Sequence, residues 1–270
     1  MTSSMADAAI EARATDLLEA YDAHQQIAPI SDVDPEFDVK AAYCVAHEIT
    51  ALREARGERQ VGRKIGFTNR TIWPIYGVSG PMWGAVWDVT LHELADGPHT
   101  FPTVTEPRLE PEIAFGFKSA PQAGMSDAEL SGCIDWVSHG FEVVFSPFPG
   151  WRFSGADCAA AFGLHGALYL GPRLPLTQPV IDQLPHFRIE LEGPGGKRLK
   201  GSGADVLDGP LRALGYLLDT LAADQSAAPL SAGEIVTTGT LTDAVPISHG
   251  ERWTTRLDGI DLPGATIAFR

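Results

Sequence analysis

Basic residues are scarce in this chain: 20 Lys and Arg stand against 35 Asp and Glu, for a formal net charge of −15. Nucleic acids and anionic membrane surfaces both need a basic footprint, so neither is an expected partner. An anionic substrate must instead be drawn by a local charge. Cysteine is also sparse. Cys44, Cys133 and Cys158 are odd in number and show no Cys-x-x-Cys spacing, which argues against a disulfide framework or a zinc knuckle and fits a reducing compartment. There is no run of 18 or more apolar residues, and the first residues lack a basic stretch followed by an apolar one. The expectation is a soluble, cytoplasmic protein without repeats or low-complexity linkers.

What is present suffices for a full core at 270 residues. Ile10, Leu17, Leu18 and Tyr21 recur at helical spacing over residues 5–24, and a second helix is predicted over 35–56, with Val39, Tyr43, Ala46, Ile49 and Leu52 on one stripe and Gly57 as its stop. Strand signals then dominate: 61–67, 110–117, 141–145, 164–170, 187–191, 235–240, 252–257 and 265–269. One further helix, 209–223, interrupts them, with Asp208 as its N-cap. Strands and helices do not alternate, so the fold class is α+β and not doubly wound: a helical cap over residues 1–58 and a mostly β body over 59–270. The turn 193–197 lacks the Walker spacing and reads as a hairpin.

Glu110 and Glu112 carry the strongest chemical signal. In a strand that reads Leu109-Glu110-Pro111-Glu112-Ile113-Ala114-Phe115, period two puts both carboxylates on the face opposite Leu109, Ile113 and Phe115. Desolvating two like charges is costly unless a cation lies between them, and a divalent ion is the usual remedy. Pro111 adds an edge, a bulge or a bend. Glu142, the lone charge in Phe141-Glu142-Val143-Val144, would complete an all-oxygen site suited to Mg²⁺ or Mn²⁺. Lys64 lies between Gly62 and Gly66 on one strand face, a cation presented to something bound, with a snorkelling lysine on a solvated strand as the alternative.

The segments Val61-Gly62-Arg63-Lys64-Ile65-Gly66-Phe67-Thr68, Leu109-Glu110-Pro111-Glu112, Phe141-Glu142-Val143-Val144, Gly201-Ser202-Gly203-Ala204 and Thr238-Gly239-Thr240-Leu241-Thr242 occur in an order that resembles the 2-oxopent-4-enoate hydratase and 4-oxalocrotonate decarboxylase branch of the fumarylacetoacetate hydrolase superfamily. The resemblance spans nearly the whole chain. It implies a β-roll body of the C-terminal type of that superfamily, a Mg²⁺ or Mn²⁺ ion on Glu110, Glu112 and Glu142, and a small 2-oxo acid beside Lys64, Thr240, Leu241 and Met82. It also implies a homo-oligomer, at least a dimer. The implied activity is addition of water to a 2-hydroxypenta-2,4-dienoate-like acid in aromatic-compound catabolism. The alternatives are a C–C bond hydrolase of a 2,4-dioxo acid such as maleylpyruvate or fumarylpyruvate, a 2-oxo acid decarboxylase, or a binding protein that has lost catalysis.

Three positions depart from that pattern. Met82 replaces an acid and cannot relay a proton; Phe145-Ser146-Pro147 replaces Asp-Ser-Arg; Phe162-Gly163-Leu164-His165 replaces Asn-Ala-Ser-Ser. His165 is then either a replacement acid or base or a histidine hydrogen-bonded within a half-buried strand. His47, followed by Glu48, is similar to the water-activating pair of the hydrolase branch, with a helix-surface histidine as the other reading. Trp73, Trp83, Trp87, Phe148 and Trp151 suit a pocket wall, a subunit contact or core packing equally.

Overall fold

Residues 2–94, 97–224 and 226–270 are described by the structure, a computed structural model; Met1, the first residue of the expected cap, lies outside them. The helices are α1 (Thr2–Asp22), α2 (Ile30–Val33), α3 (Val39–Ala55), α4 (Trp73–Tyr76), α5 (Asp127–Gly132), α6 (Gly155–Ala160), α7 (Gln178–Gln183) and α8 (Pro210–Ala223). None among the described residues is long and apolar enough to cross a membrane. Asp38 caps α3 by accepting the Ala41 N–H at 2.8 Å. Its buried face is Ala42, Tyr43, Val45, Ile49 and Arg53, a rotation from the predicted stripe that leaves Val39 exposed. The physical reason is Arg53. Its guanidinium donates to Glu58 at 2.6 Å and lies 4.6 Å from the Trp87 ring centroid, so a charged side chain takes an inward position that periodicity reserves for an apolar one. Helix α8 is capped by Gly209 and not by Asp208, whose carboxylate is engaged by Arg70 at 2.9 and 3.1 Å.

The strands are β1 (Gln60–Gly66), β2 (Met82–Trp87), β3 (Leu91–Glu93), β4 (Arg108–Phe117), β5 (Ile134–Val144), β6 (His165–Leu170), β7 (Leu174–Pro175), β8 (Arg188–Glu192), β9 (Arg198–Ser202), β10 (Ile235–Thr240), β11 (Val245–Pro246), β12 (Arg252–Asp258) and β13 (Thr266–Ala268). A curled sheet runs β2-β1-β10-β4-β5-β6-β3, with β11 added to β4 and β7 to β5; a smaller sheet runs β13-β12-β8-β9. His139 couples the two sheets. Its ring nitrogens lie 2.9 Å from the Glu112 carbonyl oxygen and 2.7 Å from Thr255 Oγ1 on β12. The turn 193–197 joins β8 to β9, as a hairpin must. Apolar residues of α1 and α3, among them Leu17 and Ile49, belong to the same buried cluster as Ile113 and Phe115 of β4.

Pro111 lies in a central strand, not at an edge. The β4–β10 ladder shifts register between Thr237 and Thr240 and ends at Glu112, and β11 resumes pairing at Leu109. Pro111 faces the gap between them, where a missing N–H forfeits no ladder bond, and its carbonyl accepts the Leu241 N–H at 2.9 Å.

Candidate active site

Glu110 and Glu142 are direct cross-strand partners in the β4–β5 ladder, and Glu112 follows on the same face. One oxygen from each of the three carboxylates lies within 4.8 Å of the others. Like charges so placed repel, and Glu112 and Glu142 are each held from behind by a different device. Glu112 Oε2 accepts the Gly239 N–H at 2.9 Å; Glu142 Oε1 accepts from His165 Nδ1 at 2.8 Å. The other oxygens, Glu112 Oε1 and Glu142 Oε2, are buried without a hydrogen bond. Gly239 is required where it stands: its φ is +97°, and a Cβ there would come within 2.0 Å of Thr68 Oγ1.

Lys64, on β1, is buried opposite Gly84 of β2, with Nζ 3.4 Å from Glu142 Oε2. The space beside it is cleared differently from the sequence expectation. Gly66 does adjoin the ammonium, at 3.6 Å for an added Cβ, but Gly62 presses on the Ile235 backbone instead. Gly84 and Gly163 do the rest: a Cβ on Gly84 would meet the Phe162 carbonyl oxygen at 2.3 Å, and one on Gly163 would lie 3.3 Å from Lys64 Cδ. Their bareness lets the left-handed turn Phe162–Leu164 lie against β2 and the lysine stem.

Burial pushes the carboxyls of Glu110 and Glu142 up to about 7, a rise that Lys64 opposes and that the charge of Glu112 increases for Glu110 and the charge of Glu110 for Glu142. Glu112 is raised well above the ordinary range by burial and by Glu142. For Lys64, burial works against the charge, but Glu142, Glu110 and Glu112 outweigh it and hold the ammonium above its usual range. Three carboxylates face one lysine, and when all are ionised the single ammonium does not neutralise them, which is why their pKa values rise. Oxygen donors grouped this way could hold a hard cation.

His165 does not line the cavity in front of these groups. Its ring is fully buried behind Glu142, with Nε2 2.8 Å from Thr90 Oγ1, and burial, then the charges of Lys64 and Arg53, depresses its pKa well below the ordinary value. Both ring nitrogens are within hydrogen-bond distance of a side chain, Glu142 on one side and Thr90 on the other. His47 sits on α3 with its ring 6.3 Å from that of Trp83 and 6.5 Å from that of Tyr43, and it too lies outside the cavity wall. Met82 is buried, with Cε 3.0 Å from where a Cβ on Gly155 would be, and does not reach the cavity surface either. Thr240 lines the cavity, while Leu241 turns into the core and spends its N–H on Pro111.

The cavity itself measures about 310 Å³ and reaches the cluster at Lys64 and Glu110. Phe67, Ile72, Tyr76, Trp151, Phe153 and Leu164 are among the apolar and aromatic residues of its wall. Trp83, Trp87 and Phe148 are core residues instead. The sequence reading missed Arg108, Tyr76 and Cys158 in this wall. For Arg108 the signal was available, since it shares the parity of Glu110 and Glu112; its guanidinium lies 4.0 Å from the centroid of the Trp151 ring. Tyr76 and Cys158 arrive from short helices that period-two reasoning does not see.

No family model matches the chain. It is 31% identical over 255 residues to a 2-keto-4-pentenoate hydratase of Paraburkholderia phymatum, covering 94% of this chain and 95% of that one. It is 30% identical over 255 residues to a 2-hydroxyhexa-2,4-dienoate hydratase of Comamonas testosteroni, with 93% and 94% covered. Among solved structures, 4-oxalocrotonate decarboxylase from Pseudomonas putida G7, complexed with magnesium and adipate, superposes with a TM-score of 0.89 at 27% identity over 97% of each chain.

Proposed function

The chain belongs to the 2-keto-4-pentenoate hydratase branch of the fumarylacetoacetate hydrolase superfamily, and on that ground we propose that it is a divalent-metal-dependent hydro-lyase adding water to a short 2-oxo-alkenoic acid in aromatic-compound catabolism. Glu110, Glu112 and Glu142 would hold the ion, Mg²⁺ or Mn²⁺. Glu112 Oε1 is buried with no hydrogen bond, and Glu142 Oε2 has only the Lys64 ammonium at 3.4 Å; these oxygens carry this reading, because one ammonium does not balance three clustered carboxylates. The hard oxygen donor set and the magnesium present in the structural relative both suit such an ion.

When bound, the dication acts as a Lewis acid toward the 2-oxo group of the substrate. Three carboxylates around it leave about one net negative charge, which would repel an anionic acid; the Lys64 ammonium, 3.4 Å from Glu142, offsets that charge. The apolar wall of Phe67, Ile72, Trp151, Phe153 and Leu164 encloses the carbon chain and keeps bulk water from it. A C–C bond hydrolase would draw on His165 or His47 to activate water. Neither imidazole lines the cavity, which favours hydration over that alternative. The three free cysteines fit the cytoplasm.

Product analysis tests the assignment. With 2-hydroxypenta-2,4-dienoate and Mg²⁺ or Mn²⁺, the expected outcome is a single 4-hydroxy-2-oxo acid by NMR. The reading fails if that substrate is left intact while a 2,4-dioxo acid is split into pyruvate and a second carboxylic acid, or while a 2-oxo dicarboxylate releases CO₂.

A further inference from the structure

His165 reaches Glu142 only through an irregularity of the sheet. Glu142 pairs with Leu168 and Val143 with Ala167, but Val144 pairs with His165 and not with Gly166, the partner regular register would give. In an unbroken antiparallel ladder His165 would oppose Phe145 and share a face with Val143, on the far side of the sheet from Glu142. The extra residue is Gly166, where an added Cβ would come within 2.8 Å of the Val143 carbonyl oxygen. The bulge turns the imidazole onto the carboxylate face.

The hydrogen bonds around this ring hold it from both sides. When Glu142 is ionised it only accepts, so Nδ1 carries the proton donated to Oε1 at 2.8 Å; Nε2 of the neutral ring lies 2.8 Å from Thr90 Oγ1, whose one hydroxyl proton is shared with the Trp87 carbonyl oxygen at 3.1 Å. Thr90 Oγ1 also lies 3.2 Å from the Trp87 amide nitrogen, which donates to it. The Trp87–Thr90 turn thus braces the imidazole, and the imidazole holds one oxygen of Glu142. The opposing pull comes from Lys64, 3.4 Å from the other oxygen.

We propose that His165, fixed by Thr90, is the positioning residue that anchors Glu142 by one oxygen, keeps the carboxylate from swinging onto Lys64, and leaves Oε2 turned toward Glu112 for a divalent cation. The role rests on the metal assignment made above. It is not a proton-transfer role: the ring lies behind the cluster and touches no cavity surface.

The test is calorimetric titration of the metal-free full-length protein with Mn²⁺ alone. His165→Leu, which removes the donor, is expected to weaken Mn²⁺ binding by about 10–100-fold, the usual consequence of losing a group that orients a ligand. His165→Asn places an amide N–H near the position of Nδ1 and is expected to recover most of that loss. Thr90→Val, isosteric and without the hydroxyl, is expected to weaken binding by roughly ten-fold, with Thr90→Ser close to wild type. A merely structural role would lower the melting temperature of these variants and leave their Mn²⁺ affinity unchanged. Folded His165→Leu or Thr90→Val protein that binds Mn²⁺ as tightly as wild type overturns the proposal. Wild-type protein that takes up no Mn²⁺ overturns the metal assignment itself, and the positioning role with it.

Discussion

Replacing Glu112 by glutamine should stabilise the metal-free protein while removing its activity. Glu112 is fully buried, and burial, then the charge of Glu142, holds its carboxyl well above the ordinary 4.5. Below pH 4.5 the folded and unfolded chains both hold this proton and the group contributes nothing. As pH rises above 4.5 the folded state keeps a proton that the unfolded chain has released, so stability falls until the folded-state value is passed. Each unit of such a rise corresponds to about 1.4 kcal/mol. The introduced amide would still accept the Gly239 N–H through its oxygen, and its NH₂ would face the Glu142 oxygen that otherwise has only the Lys64 ammonium beside it. The expected gain at pH 8 is about 2–3 kcal/mol, or roughly 4–6 °C in melting temperature for a chain of this length. At pH 5 the gain should vanish. Thermal unfolding followed by circular dichroism in the presence of a chelator, at both pH values, measures it. A Glu112→Gln protein that melts below wild type at pH 8, or gains as much at pH 5 as at pH 8, would refute the electrostatic account of the cluster.

Lys64→Met should act in the opposite direction. It leaves the buried Glu112 and Glu142 and the half-buried Glu110 without their cation, so the metal-free protein is expected to lose about 3–5 kcal/mol at pH 8 in the same melting assay. In steady-state kinetics with metal its kcat/KM should fall by about 10²–10³-fold through loss of the charge that meets the substrate. Gly239→Ala forces a side chain at positive φ against Thr68 and is expected to cost about 1–3 kcal/mol in chemical denaturation, with weakened Mn²⁺ binding because the Gly239 N–H no longer aims at Glu112.

By itself the sequence determined the local periodicities and the identity of the donors. Period two along residues 108–117 was enough to put Glu110 and Glu112 on one face, and the helical spacing near the N-terminus was enough to place α1. Both are short-range properties, set by backbone geometry within a few residues. The strand Met82–Trp87 is missing from the strand signals because Pro81 and Gly84 interrupt the apolar pattern, and the inward face of α3 was misjudged because a guanidinium can be buried when Glu58 and Trp87 receive it. Only the tertiary structure decided how Glu142 meets Glu110, since cross-strand register links residues 32 positions apart and leaves no local trace. It alone decided the fate of His165 as well. One extra residue at Gly166 moves a side chain from one face of a sheet to the other, and such a bulge is fixed by the close packing of neighbouring strands and not by any pattern in its own segment.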